Sequence, residues 1–272
     1  MRELTLKELQ FFSLDILKDI HEFCIKNNIR YSLAYGTLIG AVRHKGFIPW
    51  DDDIDIIMPR PDYDLFAAIY KSEKYLFSSA EHDSDCLISF GRVCDANKTT
   101  VRTAIPWHKR TYGVWIDVFP VDAAEDDFVQ FTNRVHRNSK LLLELQHSRR
   151  ALAPISTGTT LSLQIKQFAR KILFLNGTFT SSIIRAINKR AELYEYGTTN
   201  HWGLLSFNSY KEKDYHEANL LESVCLMDFE DSKFYVMSGY DAYLKHLYGD
   251  YMKMPPIEEQ KPKQSYLRFY WK

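Results

Sequence analysis

The stretch running from Tyr35-Gly36-Thr37 to Trp50-Asp51-Asp52-Asp53-Ile54-Asp55-Ile56 constrains this chain more than any other. Side chains on a strand alternate between its two faces. An extended segment here sends Asp53 and Asp55 one way while Ile54 and Ile56 enter a core. Two neighbouring carboxylates repel unless a cation lies between them, and hard oxygen ligands favour Mg²⁺. A glycine turn upstream, at Gly36-Thr37, lets backbone N–H groups approach a phosphate. The combination reads as a metal-dependent site for a nucleotide diphosphate.

Two plainer readings compete. Asp51, Asp53 and Asp55 stand at positions one, three and five of a calcium loop, but Ile56 replaces the required Gly, Pro59 holds position nine and Asp62 replaces the closing Glu. The other is a solvated acidic turn. Here the acids run straight into Ile54, Ile56, Ile57 and Met58, where carboxylates without a counter-charge are costly.

With 272 residues, 45% of them hydrophobic, the chain can bury a sizeable core, as one elaborated domain or two. Lys plus Arg equals Asp plus Glu at 35 each, so a nucleic acid polymer is a disfavoured partner. Cys24, Cys86, Cys94 and Cys225 form no Cys-x-x-Cys pair and read as reduced core thiols. The N-terminus lacks an apolar signal core and no apolar run approaches membrane-spanning length. The expectation is a soluble, cytoplasmic protein.

Thr5-Leu6-Lys7-Glu8 is a capping box, and Leu9, Phe12, Ile16, Ile20 and Phe23 follow at helical spacing until Asn27-Asn28. Tyr31–Tyr35 reads as a strand entering the Gly36-Thr37 turn, and Leu38–Arg43 as a short helix. A helix over Asp62–Lys71 follows the acidic strand, with further strands expected at Tyr75–Ser79, Leu87–Val93, Thr99–Arg102 and Trp115–Phe119. Beyond Asp122 helical patterns dominate: Phe128–Arg149, Leu161–Leu175 and Phe179–Tyr194, the first two joined by a small, polar linker over 153–159. A third carboxylate for a metal cage is supplied by Asp117, set between apolar neighbours in Trp115-Ile116-Asp117-Val118-Phe119-Pro120. Its plain alternative is a structural aspartate at a strand end.

Gly36-Thr37-Leu38-Ile39-Gly40-Ala41-Val42-Arg43-His44-Lys45-Gly46-Phe47-Ile48-Pro49-Trp50-Asp51-Asp52-Asp53-Ile54-Asp55 closely resembles the signature of the LicD family. Its members are phosphocholine-transferase-like proteins, similar also to the fukutin-related phosphotransferases. Trp115–Pro120, and Tyr240-Asp241-Ala242-Tyr243-Leu244 through Tyr248-Gly249-Asp250-Tyr251-Met252 to Pro255-Pro256, resemble further family motifs in matching order. The resemblance implies an α+β, polymerase-β-like nucleotidyltransferase fold: a mixed sheet flanked by helices, with a helical insertion and a C-terminal helical segment. In these terms 1–124 is the catalytic core, 125–200 a helical module, and 201–272 a segment packing on the core.

Carried over by position, Gly36 and Thr37 hold phosphate while Asp53, Asp55 and Asp117 bind Mg²⁺, with Mn²⁺ as the substitute, and perform catalysis. The fifteen residues between Thr37 and Asp53 exceed the superfamily's usual gap, which leaves Asp51 with Asp53 as an alternative metal pair. Arg43, His44, Lys45 and Trp50 are substrate-binding candidates, the basic trio weighed evenly against a solvated turn. The implied donor is a CDP-alcohol such as CDP-choline. The implied acceptor is a hydroxyl of a glycan or lipid-linked glycan: a teichoic acid, lipopolysaccharide or capsule precursor.

Choline would want an aromatic cage, for which Trp50, Trp107, Tyr112, Trp115 and Trp202 are available. A nucleotidyltransferase with the same fold, and a non-catalytic metal- or glycan-binding scaffold, are the competing functions. Lys166–Phe174 is basic and amphipathic, which suits peripheral contact at the inner face of the cytoplasmic membrane. The favoured reading of that stretch is nonetheless an ordinary helix packed on the core with a charged outer face.

Overall fold

A computed structural model describes residues 1–103, 105–153, 160–174, 179–207, 210–262 and 267–272. The first element is α1 (Leu6–Asn27), opened by the Thr5/Glu8 capping box and closed by Asn28 in the left-handed region at φ 53°. Leu9, Phe12, Ile16, Leu17, Ile20 and Cys24 form its buried face, the stripe that the i, i+3, i+4 spacing dictates. Strand β1 (Ser32–Leu33) leads into α2 (Tyr35–Ile39), which widens into a π-helical turn over Gly40–His44. Strand β2 (Asp55–Pro59) is followed directly by α3 (Arg60–Ile69), with Pro61 in its first turn.

Next come β3 (Tyr75–Ser78), β4 (Gly91–Asp95), β5 (Thr99–Arg102) and β6 (Trp115–Ala124), the last buried along its whole length. Helices α4 (Phe128–Leu152), α5 (Leu161–Leu173) and α6 (Thr180–Ala191) follow. The C-terminal part contains β7 (His201–Gly203), β8 (Tyr215–Glu217), the hairpin β9 (Val224–Phe229) and β10 (Ser232–Met237), α7 (Tyr240–Tyr248) and β11 (Arg268–Trp271).

The main sheet has the order β1-β2-β6-β4-β3, extended by β7 on β6 and β8 on β7. Among the described residues only β2 and β6 run parallel; β1/β2, β4/β6, β3/β4 and β6/β7 are antiparallel. Pro120 lacks an N–H to donate, and it falls between Val118, where pairing with β4 ends, and Asp122, where pairing with β7 begins. The expected α+β class with a mixed sheet is what the chain adopts.

One large core joins α1, both faces of β2 and β6, the hairpin and α7, and two small clusters lie under α4 and α6. The chain ends close on one another: Leu4 N donates to Phe269 O at 2.8 Å, and Phe12 meets Trp271 edge-on at 5.1 Å. Cys24, Cys86 and Cys94 are buried thiols as expected, whereas Cys225 is exposed on β9. Among the described residues no helix is long and apolar enough to cross a membrane.

Arg60, at the start of α3, grips Asp122 of β6 with Nε at 2.6 Å and Nη2 at 3.0 Å from the two carboxylate oxygens. Both side chains are buried, so removing one leaves the other charge uncompensated. Arg60→Met should therefore lower unfolding stability by about 3–5 kcal/mol, read from denaturant midpoints at unchanged m-value.

Candidate active site

In-register partners on neighbouring strands project to the same face. Asp55 of β2 pairs with Asp117 of β6, and Asp117 pairs in turn with Arg92 of β4. The sheet thus lays two carboxylates and a guanidinium in one row. Arg92 holds Asp117 at both oxygens, 2.5 Å from Nε and 3.4 Å from Nη2. The guanidinium also lies 4.1 Å from the ring centre of Trp115 and 4.9 Å from that of Trp107, an arrangement that offers a cation two π faces.

The row forms the floor of a cavity of about 970 Å³, into which Asp51 and Asp53 also face. Strand β2 begins only at Asp55, so Asp53 sits in the extended approach to the strand instead of within it. Among the described residues, Asp51, Asp52 and Asp53 form a candidate metal-binding group, with ligand atoms lying within 4.8 Å of one another. An all-carboxylate donor set of this kind fits a hard divalent cation. Burial, followed by the charges of Asp53, Asp117 and Asp51, pushes the Asp55 carboxyl well above the usual carboxylate range, and Arg92 offsets part of that rise.

The Gly36-Thr37 segment is the first turn of α2, not a free turn before a later helix. A Cβ on Gly36 would stand 2.8 Å from Asp51 Oδ2, so glycine leaves room for that carboxylate over the helix start. Thr37 is buried, and its Oγ1 accepts the Asp55 backbone N–H at 2.9 Å. That hydroxyl therefore fixes where the acidic strand begins.

Tyr35 takes φ 48°, a conformation costly for a residue with a Cβ. Its ring stacks on Tyr210 at 5.3 Å, and its hydroxyl donates to Oδ1 of the buried Asp214 at 3.0 Å. Tyr210 N donates to the other oxygen of Asp214 at 3.3 Å, and the Tyr210 and Tyr248 hydroxyls lie 2.7 Å apart. Burial raises the Tyr35 phenol well above its usual value, so it remains a donor.

Of the residues expected to bind substrate, Gly36 lines the cavity but Arg43, His44, Lys45 and Trp50 do not. Arg43 donates to the carbonyls of Tyr251 at 2.7 Å and Lys253 at 3.1 Å, tying the π-helical turn to the C-terminal segment. Lys45 caps that turn in the left-handed region, and Trp50 packs edge-on against His44 at 6.4 Å. Among the aromatic candidates only Trp107 and Trp115 reach the cavity; Tyr35, Phe90, Phe119, Phe207, Tyr210 and Tyr248 supply the rest of its aromatic wall.

Arg92 was not foreseen, although an arginine between Gly91 and Val93 in an expected apolar strand invites the same reasoning as Asp117. Asp214 and Tyr210 carry no local signal, because they meet Tyr35 across more than a hundred residues of sequence.

The raised Asp55 carboxyl gives stability a defined pH dependence. A carboxyl that binds its proton more tightly when folded contributes stability that is complete below the ordinary value of about 4 and lost as pH rises toward the folded one. Without divalent cations, the wild-type chain should therefore lose stability relative to Asp55→Asn as pH climbs from about 4 to neutrality. Paired thermal melts across that range measure it, and a pH-independent difference would contradict the assignment.

A family model described as LicD/FKTN/FKRP, nucleotidyltransferase domain, matches residues 28–166, the span that carries α2, the acidic cluster, Arg92 and Asp117. Over 267 residues the chain is 34% identical to the lipopolysaccharide cholinephosphotransferase LicD of Haemophilus influenzae, covering 96% of this chain and 97% of that protein. A shorter match, 42% identical over 89 residues, is to an uncharacterized protein of Rickettsia typhi, with 33% of this chain and 28% of that protein covered. Another, 56% identical over 50 residues and 18% of each chain, is to an uncharacterized protein of Rickettsia prowazekii. With the family's domain spanning half of the sequence and a relative aligned along nearly all of it, the chain belongs to the LicD family.

Proposed function

We propose that this protein is a Mg²⁺-dependent phosphotransferase that moves phosphocholine, or a similar phospho-alcohol, from a CDP-activated donor to a hydroxyl of a cell-surface glycan. One observation carries the reading: Asp51, Asp53, Asp55 and Asp117 converge on a single cavity whose other wall is aromatic. The near full-length relation to a cholinephosphotransferase of lipopolysaccharide supports the same chemistry. On this reading the acceptor is a lipopolysaccharide, teichoic acid or capsule precursor, met at the inner face of the cytoplasmic membrane.

Asp53 and Asp55, with Asp51 and Asp117 beside them, would hold Mg²⁺ or Mn²⁺, which neutralises the donor diphosphate and lowers the barrier to its cleavage. Thr37 fixes the strand start so that Asp55 faces this group. Lys211, on the cavity lining, is placed to meet a phosphate oxygen. The acceptor hydroxyl oxygen attacks the phosphorus bearing choline, the bond to the bridging oxygen breaks, and CMP leaves with that electron pair. We assign the departing hydroxyl proton to a carboxylate of this group. The trimethylammonium group would rest against Tyr210, Tyr248 and Phe207, since the faces of Trp107 and Trp115 hold Arg92.

A thermal-shift panel with Mg²⁺ and CDP-choline, CDP-glycerol, CDP-ribitol, CDP or each NTP tests the donor. A ligand at a hundred times its Kd stabilises by about 2.7 kcal/mol, so the true donor raises the melting temperature only when Mg²⁺ is present. Asp53→Asn and Asp55→Asn should keep the fold and lower turnover at least about a hundredfold. Retained turnover in both variants, or pyrophosphate in place of CMP among the products, would sink the proposal, the latter in favour of nucleotidyl transfer.

Asp214 never reaches the cavity and acts through Tyr35. Asp214→Ala should therefore lower kcat by about tenfold or more with a smaller change in KM, as expected when a turn that positions the reacting groups loosens. Asp214→Asn, which still accepts the Tyr35 hydroxyl, should restore most of that loss. Equal effects of the two variants would remove Asp214 from this role.

A further inference from the structure

Helix α5 is docked inside out. Leu161, Ile165, Phe168 and Ile172 recur at i, i+4, i+7 and i+11 and so form one stripe. In the folded chain these side chains are 72%, 60%, 58% and 58% exposed, and no residue of the helix is buried. The residues that turn toward the protein are polar: Gln164, Gln167, Arg170 and Lys171 are half-buried, and Lys171 Nζ donates to Ala151 O of α4 at 2.8 Å. The expectation of a helix packed on the core with its charges outward is thus reversed. Apolar stripes this open mark a surface awaiting a partner.

Charge identifies the partner. Between Glu144 and Glu192 the sequence contains no Asp or Glu, while Arg149, Arg150, Lys166, Arg170, Lys171, Arg185, Lys189 and Arg190 all fall there. A stretch bearing eight positive charges and no negative one, in a chain of zero net charge, complements an anionic surface. An apolar stripe bordered by Lys and Arg is the pattern of a helix lying in the headgroup region of a bilayer.

We infer that α5 is a membrane-docking helix that seats its Leu161/Ile165/Phe168/Ile172 stripe in an anionic lipid surface. The contact rests on the proposed function only for its purpose, which is to bring the cavity to a lipid-linked acceptor. Arg149 and Arg150, in the last turn of α4, line the cavity, and Lys171 fastens α5 one residue beyond them. Docking through α5 therefore sets that end of the cavity beside the lipid.

Co-sedimentation of the full chain with vesicles tests this without reference to catalysis. Wild type should pellet with phosphatidylcholine vesicles containing about one-third phosphatidylglycerol, bind pure phosphatidylcholine far less, and be released by high salt. The double variant Phe168→Ser/Ile172→Ser, at two mostly exposed positions, should keep its melting temperature and bind about tenfold more weakly or worse. Lys166→Glu, changing charge alone, should weaken binding to anionic vesicles and leave the apolar stripe intact.

Absence of pelleting, equal binding to neutral and anionic vesicles, or unchanged binding by the double variant would overturn the inference. So would a wild-type dimer in analytical ultracentrifugation that the double variant makes monomeric, because the stripe would then cover a second copy of the chain. A chain that binds vesicles yet releases no CMP would refute the proposed function and leave the docking helix standing.

Discussion

Two carboxylates placed side by side on parallel strands are the constraint around which this molecule is arranged. Asp55 and Asp117 face one another across β2 and β6, and the nearest fixed positive charge is Arg92 on the next strand. Such a row is tolerable because Arg92 meets Asp117 with two hydrogen bonds and is itself held between the rings of Trp107 and Trp115. The strand register cannot drift. A slip of one residue would send Ile54 and Ile56, both fully buried, into the cavity and the acids into the core. Hydrophobic burial on one face of β2 therefore enforces the electrostatic strain on the other, and that strain is what a divalent cation would relieve.

The helix beside the row is built under a second constraint. Tyr35 must adopt a left-handed backbone for α2 to start where Gly36 can pass beneath Asp51. Its compensation comes from Asp214 and Tyr210, reached only after the chain has built the helical module and returned. Arg43 performs the reverse service, using residues of the signature stretch to anchor Tyr251 and Lys253. The N-terminal motif and the C-terminal segment thus complete each other, which accounts for the family likeness at both ends of the chain.

Local chemistry explains what was legible in the sequence. The capping box at Thr5 and the helical runs after Asp122 are written within a few residues of one another, and among the described residues helices form at each, whereas the alternation at Asp53–Ile56 yields a strand only from Asp55. The acidic cluster and Asp117 were visible because isolated charges in apolar surroundings demand a reason. Arg43 turns to the carbonyls of Tyr251 and Lys253, because a positive side chain satisfies a backbone carbonyl as readily as a phosphate and nothing local distinguishes the two. Strand β4 begins at Gly91, later than the apolar run from Leu87 suggested, because Ile88–Phe90 fold as an irregular cavity wall. Pairings across long separations, such as β11 on β5 and Asp214 on Tyr35, leave no trace in a single sequence.

Whole-chain averages concealed the feature that divides the molecule electrically. A net charge of zero argues against a polyanionic partner only if the charges are mixed, and here they are segregated. Four acids crowd within Asp51–Asp55, three of them lining the cavity, while the stretch between Glu144 and Glu192 carries only positive charge and lines the same cavity through Arg149 and Arg150. Grouping the charges by sign leaves the net charge of zero unchanged. It also sorts the lining of the cavity by ligand: the acids suit a cation with a diphosphate, and the basic residues suit anionic lipid and whatever glycan that lipid carries. A substrate that must touch both a nucleotide-activated donor and a membrane would select for this polarity without disturbing the overall balance of charge.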